Sequence, residues 1–120
     1  MPHLILEHSS ELADTHDIGA LVQALFQSLT DSGVFGHEDI RARSVASDNT
    51  VTGAAKPWFA HATLRMMPGR PVELRRQLAD DLLAILEEHL PDVGALSVLP
   101  EEIHRDVYAR RVIYKENGNG

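Results

Sequence analysis

Two strand–helix–strand units in series predict an α+β fold of two layers: a four-stranded sheet with both helices on one face. Three observations carry that expectation. Two long segments show helical apolar spacing, short apolar or alternating segments flank each of them, and turn-forming residues separate the units. Each helix-length connection permits a right-handed crossover between parallel strands.

Taken in order, Pro2 to Glu7 open the chain as a short, largely apolar strand. His8 to Asp17 is polar, and Asp14, Thr15 or Asp17 is placed to cap a helix. Ile18, Leu21, Val22, Leu25, Phe26 and Leu29 then recur at helical spacing, and Ser32-Gly33 supplies the stop. Ile40 to Ser47 reads as the second strand, with Arg41 and Arg43 on one face because strand side chains alternate. Asp48 to Pro57 is small and polar, a loop. Trp58 to Met66 is the third strand, with Phe59, His61, Thr63 and Arg65 on one side. Pro68-Gly69 turns the chain, and Arg70 stands directly before Pro71 at a helix start. That helix runs from about Pro71 to Leu90, with Leu74, Leu78, Leu82, Ile85 and Leu86 facing the core, and Pro91 ends it. A fourth strand is expected around Leu96 to Ile103, followed by a tail carrying Val107, Tyr108, Val112, Ile113 and Tyr114.

The 120 residues suit one domain. With no cysteine, disulfides, thiolate metal sites and cysteine nucleophiles are excluded together. The first residues do not read as a secretion signal, and no apolar run approaches a membrane span, so a cytoplasmic protein is expected. Eighteen acidic against eleven basic residues give a formal charge of −7, which argues against nucleic acid or an anionic membrane as partner. An anion bound by such a chain must be held by a few placed arginines. A two-layer fold also leaves one sheet face open, and a second copy of the chain is its expected cover.

Pro2 is the first candidate for chemistry. Removal of Met1 would convert its ring nitrogen into a free secondary amine. Burial and nearby arginines both disfavour the protonated form, so such an amine can serve as a general base near neutrality. Met-Pro is also a common start, and residue type alone does not choose between the two readings. Arg41 and Arg43 offer planar, permanent charges suited to carboxylates, although strand arginines ordinarily pair with surface acids. Arg70 follows a tight turn and precedes a helix N-terminus, where backbone N–H groups also favour anions. The seven histidines show no metal-binding spacing, and His61 reads as a structural strand residue. Ser9 and Ser10 lack the glycine elbow of a hydrolase, and no phosphate-binding glycine loop occurs. No metal and no cofactor are expected.

As an ordered set, these residues resemble the 5-carboxymethyl-2-hydroxymuconate isomerase family of the tautomerase superfamily. The likeness runs through Met1-Pro2-His3, Glu7, Gly33-Val34-Phe35 and Ile40-Arg41-Ala42-Arg43. It is densest at Phe59-Ala60-His61-Ala62-Thr63-Leu64-Arg65 and Gly69-Arg70. The resemblance implies a tautomerase-like β-α-β repeat assembled as a homotrimer. It also implies cofactor-free isomerisation of an unsaturated hydroxy-polycarboxylate in aromatic catabolism. Pro2 would be base and acid, Arg41 and Arg70 would be catalytic and hold substrate carboxylates, and Arg43 would add a substrate contact. Two alternatives stay open: the same fold acting on another 2-oxo acid, of phenylpyruvate or dehalogenase type, and a noncatalytic small-molecule-binding module.

Overall fold

A computed structural model describes residues 1–116. Its strands are β1 (His3–Ser9), β2 (Arg41–Ser47), β3 (Phe59–Met66) and β4 (Ala95–Glu102). Its helices are α1 (Leu12–Thr15), α2 (Ile18–Asp31) and α3 (Val72–His89). The sheet order is β2-β1-β3-β4. β1 runs parallel to β2 and β3 parallel to β4, as two crossover units require, and the units meet through an antiparallel β1–β3 seam. That seam sets His3 opposite Arg65, so the start of β1 lies beside the end of β3.

Alternation decides which sheet face the helices cover. Leu4 and Leu6 of β1 and Ala60, Ala62, Leu64 and Met66 of β3 are buried, while Ile5, Phe59 and His61 between them are partly open. α2 meets that core through Leu21, Leu25 and Leu29, and α3 through Leu78, Leu82 and Leu86. The flanking Ile18, Val22, Phe26, Leu74 and Ile85 pack around its margin. Each fully buried leucine contributes about 1.5–3 kcal/mol relative to exposure, so these two stripes dominate the adhesion of the helical layer. The opposite sheet face carries Ile5, with Val45 and Leu99 each 47% exposed.

The ends of the elements follow local chemistry. Among the three candidate caps, Asp17 takes the position, its carboxylate accepting from the Ala20 N–H at 3.0 Å. Gly33, at φ 72°, takes the left-handed conformation that stops α2. The short helix α1 falls in the stretch read as polar; four residues and one buried side chain, Leu12, leave no periodicity to read. Trp58 does not join β3, because its φ of 73° is incompatible with extended backbone.

The loop between β2 and β3 is pinned at its far end. Gly94 N–H donates to the Pro57 carbonyl at 3.0 Å, and a Cβ at Gly94 would stand 1.8 Å from the Lys56 carbonyl oxygen. Backbone on both sides must shift to accept a methyl group. Gly94→Ala is therefore expected to destabilise the fold by about 1–3 kcal/mol, the range of an overpacked site. Urea unfolding followed through Trp58 fluorescence measures this; an unchanged midpoint would show that the loop detaches freely.

Candidate active site

The seam brings two sequence-distant segments to one end of the sheet. Pro2 precedes β1 and is buried, and its carbonyl accepts from the Arg41 N–H at 3.0 Å. This hydrogen bond extends the parallel β1–β2 ladder to the proline and fixes its position. Met67 to Arg70 leave the end of β3, with Gly69 at φ 113° making the turn.

Between these segments lies a cleft of about 460 Å³. Pro2 and Met1 line it from the chain start, Val34 to Gly36 and Asp39 from the approach to β2, and Met67 and Arg70 from the β3–α3 turn. The C-terminal tail completes it with Arg105, Tyr108 and Arg110. Among the described residues the lining thus carries three guanidinium groups against one carboxylate, in a chain whose formal charge is −7.

Arg70 is ordered by two contacts. Its guanidinium lies 4.7 Å from the centre of the Phe35 ring, and its Nη1 donates to the Met67 carbonyl at 3.2 Å. Arg105 Nη2 donates to the next carbonyl along, that of Pro68, at 3.1 Å. Arg110 has a different anchor. Its Nη1 lies 3.4 Å from Asp39 Oδ1 and 3.4 Å from the Tyr114 hydroxyl, while that hydroxyl donates to the same carboxylate oxygen at 2.6 Å. Tyr114 and Arg110 hold the Asp39 carboxyl below its ordinary pKa, so Asp39 is an acceptor rather than a proton donor. The Met1 amine is also held below the ordinary α-amino value, first by burial and then by the Arg110 charge. Arg70 adds to the depression and Asp39 opposes it.

Of the four residues singled out from the sequence, Pro2 and Arg70 share this cleft, whereas Arg41 and Arg43 do not line it. Arg41 Nη1 donates to the carbonyls of Glu38 and Ile40, at 2.9 and 3.1 Å, and so braces the wall that carries Asp39. Arg43 Nη1 lies 3.2 Å from His3 Nδ1 and borders a second cavity with Arg65 and His104. Burial, followed by Arg43 and the other nearby cations, lowers the His3 pKa. Tyr108 borders both cavities, its hydroxyl 3.4 Å from His3 Nε2. The loop Asp48 to Lys56 does not line the cleft.

Asp39, Arg105, Tyr108 and Arg110 were not anticipated. The available signal was a tail holding three arginines and both tyrosines between Arg105 and Tyr114, in an otherwise acidic chain.

Comparison with known proteins bears on this geometry. The family model for 5-carboxymethyl-2-hydroxymuconate isomerase matches residues 2–117. The chain belongs to the 5-carboxymethyl-2-hydroxymuconate isomerase family. By family it is an isomerase. It is 29% identical over 111 residues to the 5-carboxymethyl-2-hydroxymuconate Delta-isomerase of Escherichia coli, covering 87% of this chain and 88% of that protein. A crystal structure of a 5-carboxymethyl-2-hydroxymuconate isomerase from Deinococcus radiodurans R1 is similar at a TM-score of 0.79 and 28% identity. That superposition covers 92% of this chain and 88% of the other. A fused 4-OT described as a symmetric trimer shares the fold at a TM-score of 0.68 and 21% identity, with 84% and 85% coverage. These likenesses place the chain in the tautomerase fold. Among the described residues no helix is long and apolar enough to cross a membrane.

Proposed function

We propose that the protein isomerises an unsaturated hydroxy-polycarboxylate of the 5-carboxymethyl-2-hydroxymuconate type without a cofactor, using the Pro2 amine freed by removal of Met1. The observation that carries this reading is the meeting of Pro2 and Arg70 in one cation-lined cleft around the chain start. Moving a proton along a dienol needs a base that accepts it at one atom and returns it at another. It also needs cations where negative charge develops on oxygen. Pro2 is the proton carrier and Arg70 the principal substrate cation. Arg41 acts on the cleft through the Glu38–Ile40 segment that it braces.

We further propose a homotrimer. Register places Arg41 and Arg43 on the same sheet face as Ile5, Val45 and Leu99, the face away from both helices. A neighbouring copy covering that face would bring both arginines to a subunit boundary, where they are available to a carboxylate substrate shared between copies.

The test is ketonisation of 2-hydroxymuconate-type dienols, followed in the ultraviolet, with protein whose mass confirms loss of Met1 and with protein that keeps it. Activity confined to the processed form supports the Pro2 amine. Equal activity in both forms removes Pro2 from the mechanism.

A further inference from the structure

The cations of the cleft are held at two separate anchorages. Arg70 and Arg105 are tied to adjacent carbonyls, Met67 and Pro68, on the β3–α3 turn. Arg110 is tied instead to Asp39, on the approach to β2, within a three-membered ring of Arg110, Tyr114 and Asp39. A ligand with one carboxylate needs only one of these anchorages. A ligand with carboxylates at both ends of a short unsaturated chain can use both.

We propose that Arg110, delivered by the C-terminal tail, is the second carboxylate-binding residue of the cleft and the determinant of its preference for dicarboxylates. The assignment rests on reading the cleft as a carboxylate site, and it names a residue which that reading does not require. Asp39 is the resident partner that a carboxylate must share or replace. At 3.4 Å the Arg110–Asp39 contact is long for an ion pair hydrogen bond, and the Arg110 side chain is 45% exposed. Its guanidinium therefore retains donors for an incoming anion. Tyr114 satisfies the same Asp39 oxygen at 2.6 Å, so the carboxylate keeps a donor when Arg110 turns toward a ligand.

Equilibrium binding separates this proposal from the catalytic one. Muconate and sorbate have the same six-carbon diene chain and carry two carboxylates and one. Titration calorimetry of Met1-processed protein with each acid gives a preference ratio, Kd for sorbate over Kd for muconate. In Arg110→Ala that ratio is expected to fall about tenfold, as loss of one charge-assisted hydrogen bond implies. Arg76→Ala removes an equal charge from the exposed face of α3, where Arg76 pairs with Asp80, and is expected to leave the ratio unchanged. An unchanged ratio in Arg110→Ala overturns the proposal while leaving the carboxylate cleft intact. So does an equal fall in Arg76→Ala, which would make the effect one of overall charge. Failure of the unsubstituted protein to bind either acid overturns the carboxylate cleft itself, and this assignment with it.

Discussion

Pro2→Ala is expected to lower kcat on dienol substrates by about 10²-fold or more, within the span of positioned acid–base catalysis. Alanine also permits removal of Met1, so an amine remains at the position. It is a primary amine on a freely turning residue, without the ring that fixes the direction of the nitrogen lone pair. The contact that holds residue 2 in place is made by its carbonyl, which accepts from Arg41 N–H and survives the substitution. Thermal stability should therefore change little while turnover collapses. Retention of Met1 does something different. It moves the amine outward by one residue, about 3.8 Å between successive Cα atoms, and leaves the proline nitrogen as a nonbasic amide. An unaltered kcat in Pro2→Ala would count against proton transfer at this residue.

The pH profile gives the same site a second signature. In the intact chain, burial and the Arg110 charge lower the pKa of the Met1 amine. The same surroundings act on a Pro2 amine in the processed protein, so its base form should persist to lower pH than in an open peptide. The acidic limb of kcat/KM should then rise as pH increases through that lowered value. Removing a neighbouring positive charge raises an amine pKa, so Arg110→Ala should move the limb toward higher pH.

Arg70→Ala is expected to lower kcat/KM by about 10²–10³-fold, the effect of deleting one preorganised donor to a developing oxyanion. Two consequences of the substitution compete for attention. Loss of the stack on Phe35 would cost about 0.5–1 kcal/mol at a partly exposed position, visible as a small fall in unfolding midpoint. Loss of charge stabilisation in the transition state corresponds to about 2.7–4 kcal/mol, visible only in turnover. The second is the larger, so a variant that unfolds almost normally but turns over poorly is the expected outcome. Arg70→Lys should recover part of the rate, since it keeps the charge but loses the planar fork. Equal losses of rate and stability would reassign Arg70 to holding Phe35 in place.

The fold was legible because its periodicities are long. The spacing of Leu21, Leu25 and Leu29, and of Leu78, Leu82 and Leu86, specifies both helices and the face each buries. Alternation in β3 distinguishes the core side from the open side residue by residue. Pro2 and Arg70 were legible as candidates because each sits beside a local landmark, the chain start and a glycine turn. Their meeting in one cleft depends on the antiparallel pairing of β1 with β3. The other lining groups had no such landmark. Arg110 and Tyr114 reach Asp39 across 71 and 75 residues of sequence, and nothing periodic joins them. Arg41 illustrates the opposite problem: its place on β2 was readable, but the turn of its guanidinium toward the Glu38 and Ile40 carbonyls is set by the shape of the preceding 3-10 turn, His37–Asp39.

The antiparallel seam has a consequence for how such a catalyst can change. Because β1 and β3 run in opposite directions, the group proposed to carry the proton comes from the leading half of the chain and the group proposed to hold the anion comes from the trailing half. Had all four strands been parallel, an eight-residue strand would have set these two ends roughly 26 Å apart. Neither half by itself carries both Pro2 and Arg70. The connecting loop from Asp48 to Lys56 does not line the cleft, so away from its pinned end at Lys56 it can vary in length without moving one of these groups relative to the other.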